Sequence, residues 1–233
     1  MNRKITSLFR ALHQVFFPLF CPGCGGVLAE NERPLCFHCQ LQLPWTHFHL
    51  FPENPMWEQV NKRARIQHAT ALFFFEPQSI VQSSIHALKY KGQETLGAYF
   101  GQLLGHCLKA TVFCQCTAIV PVPLHPKRKK QRGYNQVMRF AESLSEALGV
   151  PVKTTVIKRI KHTSSLALGS YKNRWESMAT AFEPLPQTAA TPQHWLLVDD
   201  VLTTGATITS CAKALLSFPH SKVSIATIAY RMS

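Results

Sequence analysis

Two groups of residues in this sequence have types and spacings that could do chemistry. The first is Asp199 and Asp200, adjacent carboxylates that follow the apolar run 195–198 and precede Thr203, Thr204, Gly205, Ala206 and Thr207. Backbone N–H groups of such a turn converge on a phosphate, helped by the positive end of the helix that comes next. Gly205 and Ala206 keep side chains out of the way, and the threonine hydroxyls add donors. Two acids beside that turn can accept hydrogen bonds from vicinal hydroxyls of a pentose, so the stretch suits a pentose phosphate. The plainer reading is a strand-to-helix joint whose acids cap the helix. Two charges directly after an apolar run are costly to bury without partners, which argues for a ligand or a solvent-filled cleft.

The second group is Cys21-Pro-Gly-Cys24 and, after eleven intervening residues, Cys36-Phe-His-Cys39. Each C-x-x-C turn places two sulfurs on one side, and two such turns give the tetrahedral four-thiolate geometry that Zn²⁺ takes. A redox dithiol is the rival, but two pairs close together favour zinc. The metal would be structural, since so short a segment has little core of its own. His38 could replace one thiolate or simply lie at the surface.

The chain must position these groups with 233 residues, of which 46% are hydrophobic, enough for one α/β domain and a small appendage. Twenty-five basic residues against twelve acidic ones give a formal net charge of +13, which favours a polyanionic partner or an anionic substrate. No secretory signal is evident, and the apolar opening, broken by Arg10, His13 and Gln14, is too short to span a bilayer. A cytoplasmic, reducing setting is therefore expected, in which metal thiolates prevail over disulfides.

Residues 5–17 read as an amphipathic helix that packs on the next module or lies on a membrane surface. With the cysteine pairs it forms a first module, 1–50, followed by a proline-containing connection, 51–67, and a main domain, 68–233. In that domain 69–75 reads as a buried strand whose three phenylalanines are core or, more weakly, a base-stacking surface. Helical patterns follow at 80–89 and 95–108, with Lys89 and Lys91 as solvated caps or anion contacts at the first helix's end. Residues 118–123 are a strand ending in a proline-stiffened turn, 137–148 a helix, 152–157 a short strand, 183–194 a surface loop, 208–216 a helix and 222–230 a last buried strand. The expected fold is α/β, a mostly parallel sheet flanked by helices. In such a sheet the acids and the strand end at 120–123 share the carboxyl rim where ligands bind. The basic run Lys127, Arg128, Lys129, Lys130 and Arg132 follows on that rim, and phosphate groups would be drawn to it.

Residues 195–207 resemble the signature of type I phosphoribosyltransferases that binds 5-phosphoribosyl 1-diphosphate (PRPP): an apolar strand, two acids and a T-x-G-small-T loop. Val-Pro-Val-Pro-Leu-His-Pro at 120–126, the basic run into Arg-Gly-Tyr-Asn-Gln at 132–136 and the cysteine pairs extend the likeness. Taken together they resemble the ComF/GntX family, phosphoribosyltransferase-like proteins linked to DNA uptake and natural competence. The likeness covers nearly the whole chain. It implies a type I phosphoribosyltransferase-like fold with an N-terminal zinc knuckle, and PRPP with Mg²⁺ held by Asp199, Asp200 and 203–207. The pyrophosphate would lie near 120–123, Val122 included, and Arg132. Residues 158–175 would be the loop that closes over PRPP, although the family's glutamine is absent there and Asn173-Arg174 reverses its order. As an enzyme the protein would transfer a pentosyl group by positioning and by charge stabilisation of the leaving pyrophosphate. As a binding module it would hold single-stranded DNA on Lys127–Lys130 and the knuckle, with a degenerate PRPP pocket. Either role implies DNA-uptake machinery as a partner and a peripheral place at the inner membrane.

Overall fold

The computed structural model describes residues 18–29, 34–126, 130, 133–160, 181–186 and 193–232. Four strands, β1 (Ala69–Phe74), β2 (Ala118–Pro121), β5 (His194–Leu202) and β6 (Lys222–Tyr230), form one sheet in the order β1-β6-β5-β2. Every pairing in it is parallel, with Ala69 opposite Ile225, Trp195 opposite Val223 and Ala118 opposite Trp195. Strands buried on both faces read as largely apolar runs, as β5 does over 195–198 and β6 does over 223–230 apart from Ser224 and Thr227.

Helices cover both faces. Leu196 and Val198 of β5 share a core with α3 (Ile80–Tyr90), α4 (Glu94–Leu108) and α5 (Met138–Leu148). Trp195 and Leu197 share the opposite core with α6 (Ala206–Leu216) and α2 (Pro55–Asn61). The caps explain where helices begin. Asn54 accepts from Trp57 N at 3.0 Å ahead of Pro55, and Ser79 Oγ accepts from Gln82 N at 3.1 Å. Gly97, Gly101 and Gly105, one turn apart on α4, bring that helix against α5. A Cβ on Gly101 would stand 2.6 Å from the Phe140 carbonyl, and one on Gly105 would stand 2.4 Å from Ala147 Cβ.

The cysteine segment is sewn into this domain. Leu35, Cys39 and Leu43 belong to the same core as Phe73, Val81 and Phe100. Phe74 N donates to Pro44 O at 2.8 Å and Thr46 N to Leu72 O at 3.1 Å, so residues 44–46 run along the outer edge of β1. Phe73 is fully buried and meets Phe100 edge-on at 5.4 Å, which makes it core.

The structure differs from the sequence reading in three places. Residues 51–67 contain the capped helix α2. Val152 makes only a single bridge to Ile119, because the flanking Pro151 carbonyl and Lys153 N–H take the Ile119 backbone. The strand expected there begins later, as β3 (Ile157–Arg159), and pairs antiparallel with β4 (Phe182–Pro184) in a separate ribbon. The expected helix at 5–17 lies outside the described residues.

Candidate functional site

Asp199 and Asp200 both lie within β5, near its carboxyl end and in the interior of the sheet. Successive side chains of a strand point to opposite faces. The two acids therefore diverge, and the expectation that they grip two hydroxyls side by side meets a different geometry. Asp200 turns to the α3–α5 face and is 5% exposed. Its Oδ1 lies 2.9 Å from Lys89 Nζ, and its Oδ2 accepts from Gln136 Nε2 at 2.7 Å. Lys89 is thus the counter-ion of a buried acid rather than a solvated cap. Asp199 is half-buried, with Oδ1 accepting from Asp200 N at 2.8 Å. Burial first, then the Asp200 charge, push its carboxyl up to about 7, against the opposing pull of the Asp200 N–H, Lys89 and Arg159. Across from it, burial and the Asp199 charge hold the Cys211 thiol well above its usual value.

Three consecutive residues fasten this centre. Tyr134 donates its hydroxyl to the Leu88 carbonyl at the end of α3. Asn135 Nδ2 donates to Val122 O at 3.1 Å beyond β2, and Gln136 reaches Asp200. One short segment leading into α5 therefore ties together α3, the turn after β2 and the acid of β5. Val122 itself is buried, its N–H donating to Val198 O at 2.9 Å, so the turn hugs β5.

Thr203, Thr204 and Gly205 link β5 to α6, whose first residues are Ala206 and Thr207. Gly205 caps α6 with φ 76°, a left-handed conformation natural to glycine, and with no side chain of its own. Gln59 of α2 holds the loop from outside, Nε2 donating to Thr203 O at 2.8 Å. Thr209 Oγ1, buried beside Gly205, has no hydrogen-bond partner among the described residues. The loop thus sets a helix amino terminus, whose Ala206 N–H makes only a long contact to Thr204 Oγ1 at 3.5 Å, beside the Thr209 hydroxyl. Of the basic residues named from sequence, Lys130 is described and exposed, whereas Lys127, Arg128, Lys129 and Arg132 lie outside the described residues, as does most of 158–175.

The four cysteines do converge. The sulfurs of Cys21, Cys24, Cys36 and Cys39 all lie within 4.8 Å of one another, with Cys24 and Cys36 3.7 Å apart. A zinc–sulfur distance of about 2.3 Å in a tetrahedron requires sulfurs about 3.8 Å apart, so the cluster fits that ion. The first pair sits in a tight turn closed by Cys21 N donating to Gly26 O at 2.7 Å, and the second opens the helix α1 (Phe37–Leu41). Backbone N–H groups point at the sulfurs, Cys36 N to Cys21 Sγ at 3.4 Å and Cys39 N to Cys36 Sγ at 3.5 Å. Burial raises the Cys21 thiol, yet N–H donors from Cys36, Cys24 and Gly23 outweigh it and bring the thiol down to about 7. A Cβ on Gly23 would lie 2.9 Å from Cys39 Sγ, so only glycine leaves that sulfur its place. His38 is exposed and stands apart from the cluster. These thiols could hold a metal such as zinc.

The molecule is an α/β protein with a parallel sheet, a helix-capped loop at its carboxyl rim and a four-thiol loop against its edge. Competence protein F of Haemophilus influenzae is 31% identical over 208 residues, covering 84% of this chain and 83% of the relative. The chain belongs to the family of competence protein F. DNA utilization protein YhgH of Escherichia coli K12 is 28% identical over 84% of this chain and 83% of its own length. Competence protein ComFC of Streptococcus pneumoniae is 36% identical over 54% of this chain and 53% of its own. No family model matches the chain. Among solved structures, an adenine phosphoribosyltransferase from Leishmania tarentolae overlaps with TM-score 0.39 and 13% identity, covering 76% of this chain and 88% of that one.

Gln136, Gln59 and Arg159 were not singled out as site residues from sequence, and Lys89 was read only as a solvated cap or an anion contact. A lysine in the last turn of a helix, at 89, was the one available signal. The others sit in segments whose local pattern says only helix, helix approach or short strand.

Proposed function

We propose that this protein is phosphoribosyltransferase-like, binds PRPP or another 5′-phosphoribosyl group, and serves DNA uptake. The observation that carries this reading is the turn at 203–205. A left-handed glycine bares the amino terminus of α6 directly after a strand whose Asp199 stands half-buried at the rim. The phosphate would take the N–H groups of 204–207 and the Thr209 hydroxyl, and the sugar hydroxyls would take Asp199. Asp200 would act from behind, fixing Lys89 and Gln136. Mg²⁺ would arrive chelated by the diphosphate, since Asp199 is the carboxylate of the pair left for it and this ion keeps most of its water. The names of the relatives, competence and DNA utilization proteins, support the process.

Zn²⁺ on the four cysteines would staple residues 1–50 to the main domain, 68–233, with 51–67 joining them. The protein would work in the cytoplasm, where thiolates persist, and meet the uptake machinery at the inner membrane. Among the described residues no helix is long and apolar enough to cross a membrane. Calorimetry with PRPP and Mg²⁺ tests the pocket. Micromolar binding lost in Asp199→Ala is expected, and no heat from the wild type would remove the reading.

A second reading is a single-stranded DNA module whose pocket is degenerate. The capture of both Asp200 oxygens by Lys89 and Gln136, and the net charge of +13, favour it. Titration with an oligonucleotide across salt tests it, since a phosphate grip weakens steeply as salt rises.

A further inference from the structure

The turn after β5 leans on a helix that precedes the whole sheet in the chain. Gln59 of α2 donates through Nε2 to the Thr203 carbonyl at 2.8 Å, across 144 residues of sequence. A Cβ on Gly205 would stand 3.6 Å from that nitrogen and 3.9 Å from Val60 Cγ2, so α2 lies directly behind the turn. The helix is itself anchored. Met56 and Val60 are fully buried, and its cap Asn54 donates to Ala69 O of β1 at 2.9 Å. A donor on so firm a support holds a loop carbonyl in one place.

The effect on the loop follows from the peptide plane. The Thr203 carbonyl and the Thr204 N–H belong to one planar trans unit and point to opposite sides of the chain. With the carbonyl tied back to α2, the Thr204 N–H faces away from α2. Among the described residues no hydrogen bond takes that N–H. β5 ends at Leu202, so the unit lies beyond the sheet's ladder, and Thr203 is exposed. Turned the other way, it would set the negative end of a carbonyl where an anion arrives. The bond to a carbonyl also fixes the sense of the Gln59 amide, whose Oε1 is left buried and unpartnered. That oxygen and Thr209 Oγ1 are two of four such side-chain atoms among the described residues, so half of them crowd this one turn. A buried acceptor without a donor costs stability, and an apolar residue at 59 would shed that cost. We infer that Gln59 is a positioning residue for the phosphate loop, fixing the 203–204 peptide so that the Thr204 N–H meets the 5′-phosphate. It rests on the phosphoribosyl reading above and brings to that site a residue from outside the strand, loop and helix.

Calorimetry on the full chain, with ribose 5-phosphate and with PRPP plus Mg²⁺, tests it. Gln59→Met matches the length and lacks the donor. It should bind both probes about tenfold more weakly, the share of one well-held hydrogen bond, while melting no lower than the wild type. Gln59→Glu puts an acceptor where the donor stood, which repels the carbonyl and draws the N–H inward, so it should bind more weakly still. In amide NMR spectra ribose 5-phosphate should shift the Thr204 signal of the wild type and leave that of Gln59→Met in place. Undiminished binding by Gln59→Met, or a loss matched by a lower melting temperature, would overturn the inference and leave the phosphoribosyl reading standing. A wild type that binds neither probe would remove both.

Discussion

Lys89 Nζ lies 2.9 Å from Asp200 Oδ1, although 111 residues separate the two in the chain. The pair bridges the last turn of α3 and the central strand β5, and Gln136 fills the other carboxylate oxygen. Breaking a buried pair from one side leaves a charge without its partner. The Lys89 side chain keeps 23% exposure, which moderates the cost. Lys89→Met should destabilise the fold by about 2 kcal/mol in urea unfolding, and Lys89→Met with Asp200→Asn should recover part of that loss. If the double variant is less stable than the single, the pair is not what holds α3 to β5.

Asp199 keeps its proton to about pH 7 in the folded chain, whereas an unfolded aspartate releases it near pH 4. The folded state then binds the proton more tightly. The stability tied to it is complete below about pH 4 and is lost as pH rises through about 7. Thermal melting of the wild type should fall from pH 5 to pH 8 more steeply than that of Asp199→Asn. Identical slopes would mean that Asp199 is already ionised in the folded chain.

The thiol cluster should carry about one zinc per chain in protein purified without chelator. Cys21→Ser with Cys24→Ser should carry none and melt at least about 5 °C lower. Metal analysis decides the first point, and unchanged zinc content in the variant would end the four-thiolate assignment.

The glycine stair of α4 is testable without any ligand. Gly101→Ala and Gly105→Ala place a methyl against the Phe140 carbonyl and Ala147. Each should cost about 1–3 kcal/mol by overpacking, measured by urea unfolding, even though alanine is the better helix former. A gain in stability would show that α4 and α5 are free to part.

The strands β1, β5 and β6 and the helices α3 to α6 were legible in the sequence because their apolar residues recur over stretches long enough to show a period. The cysteine spacing was legible for the same local reason. The partners of the acids were not. Lys89, Gln136 and Gln59 are brought to the rim by the way whole elements pack, and nothing adjacent to them in the chain records it. The divergence of Asp199 and Asp200 follows from strand pleating once β5 is seen to run on to Leu202, beyond the acids. The ribbon of β3 and β4 escaped because three residues cannot display an alternation.

The strand β5 is apolar toward both of its neighbouring layers, with Trp195 and Leu197 on one side and Leu196 and Val198 on the other. Oil alone would therefore let it slide by one position against β6 with little complaint. Lys89 and Gln136 oppose the shift that would bring Val201 there, because it would leave them facing an apolar side chain in place of an acid. The ion pair and its amide partner work as a detent against that slip, in place before any visitor arrives.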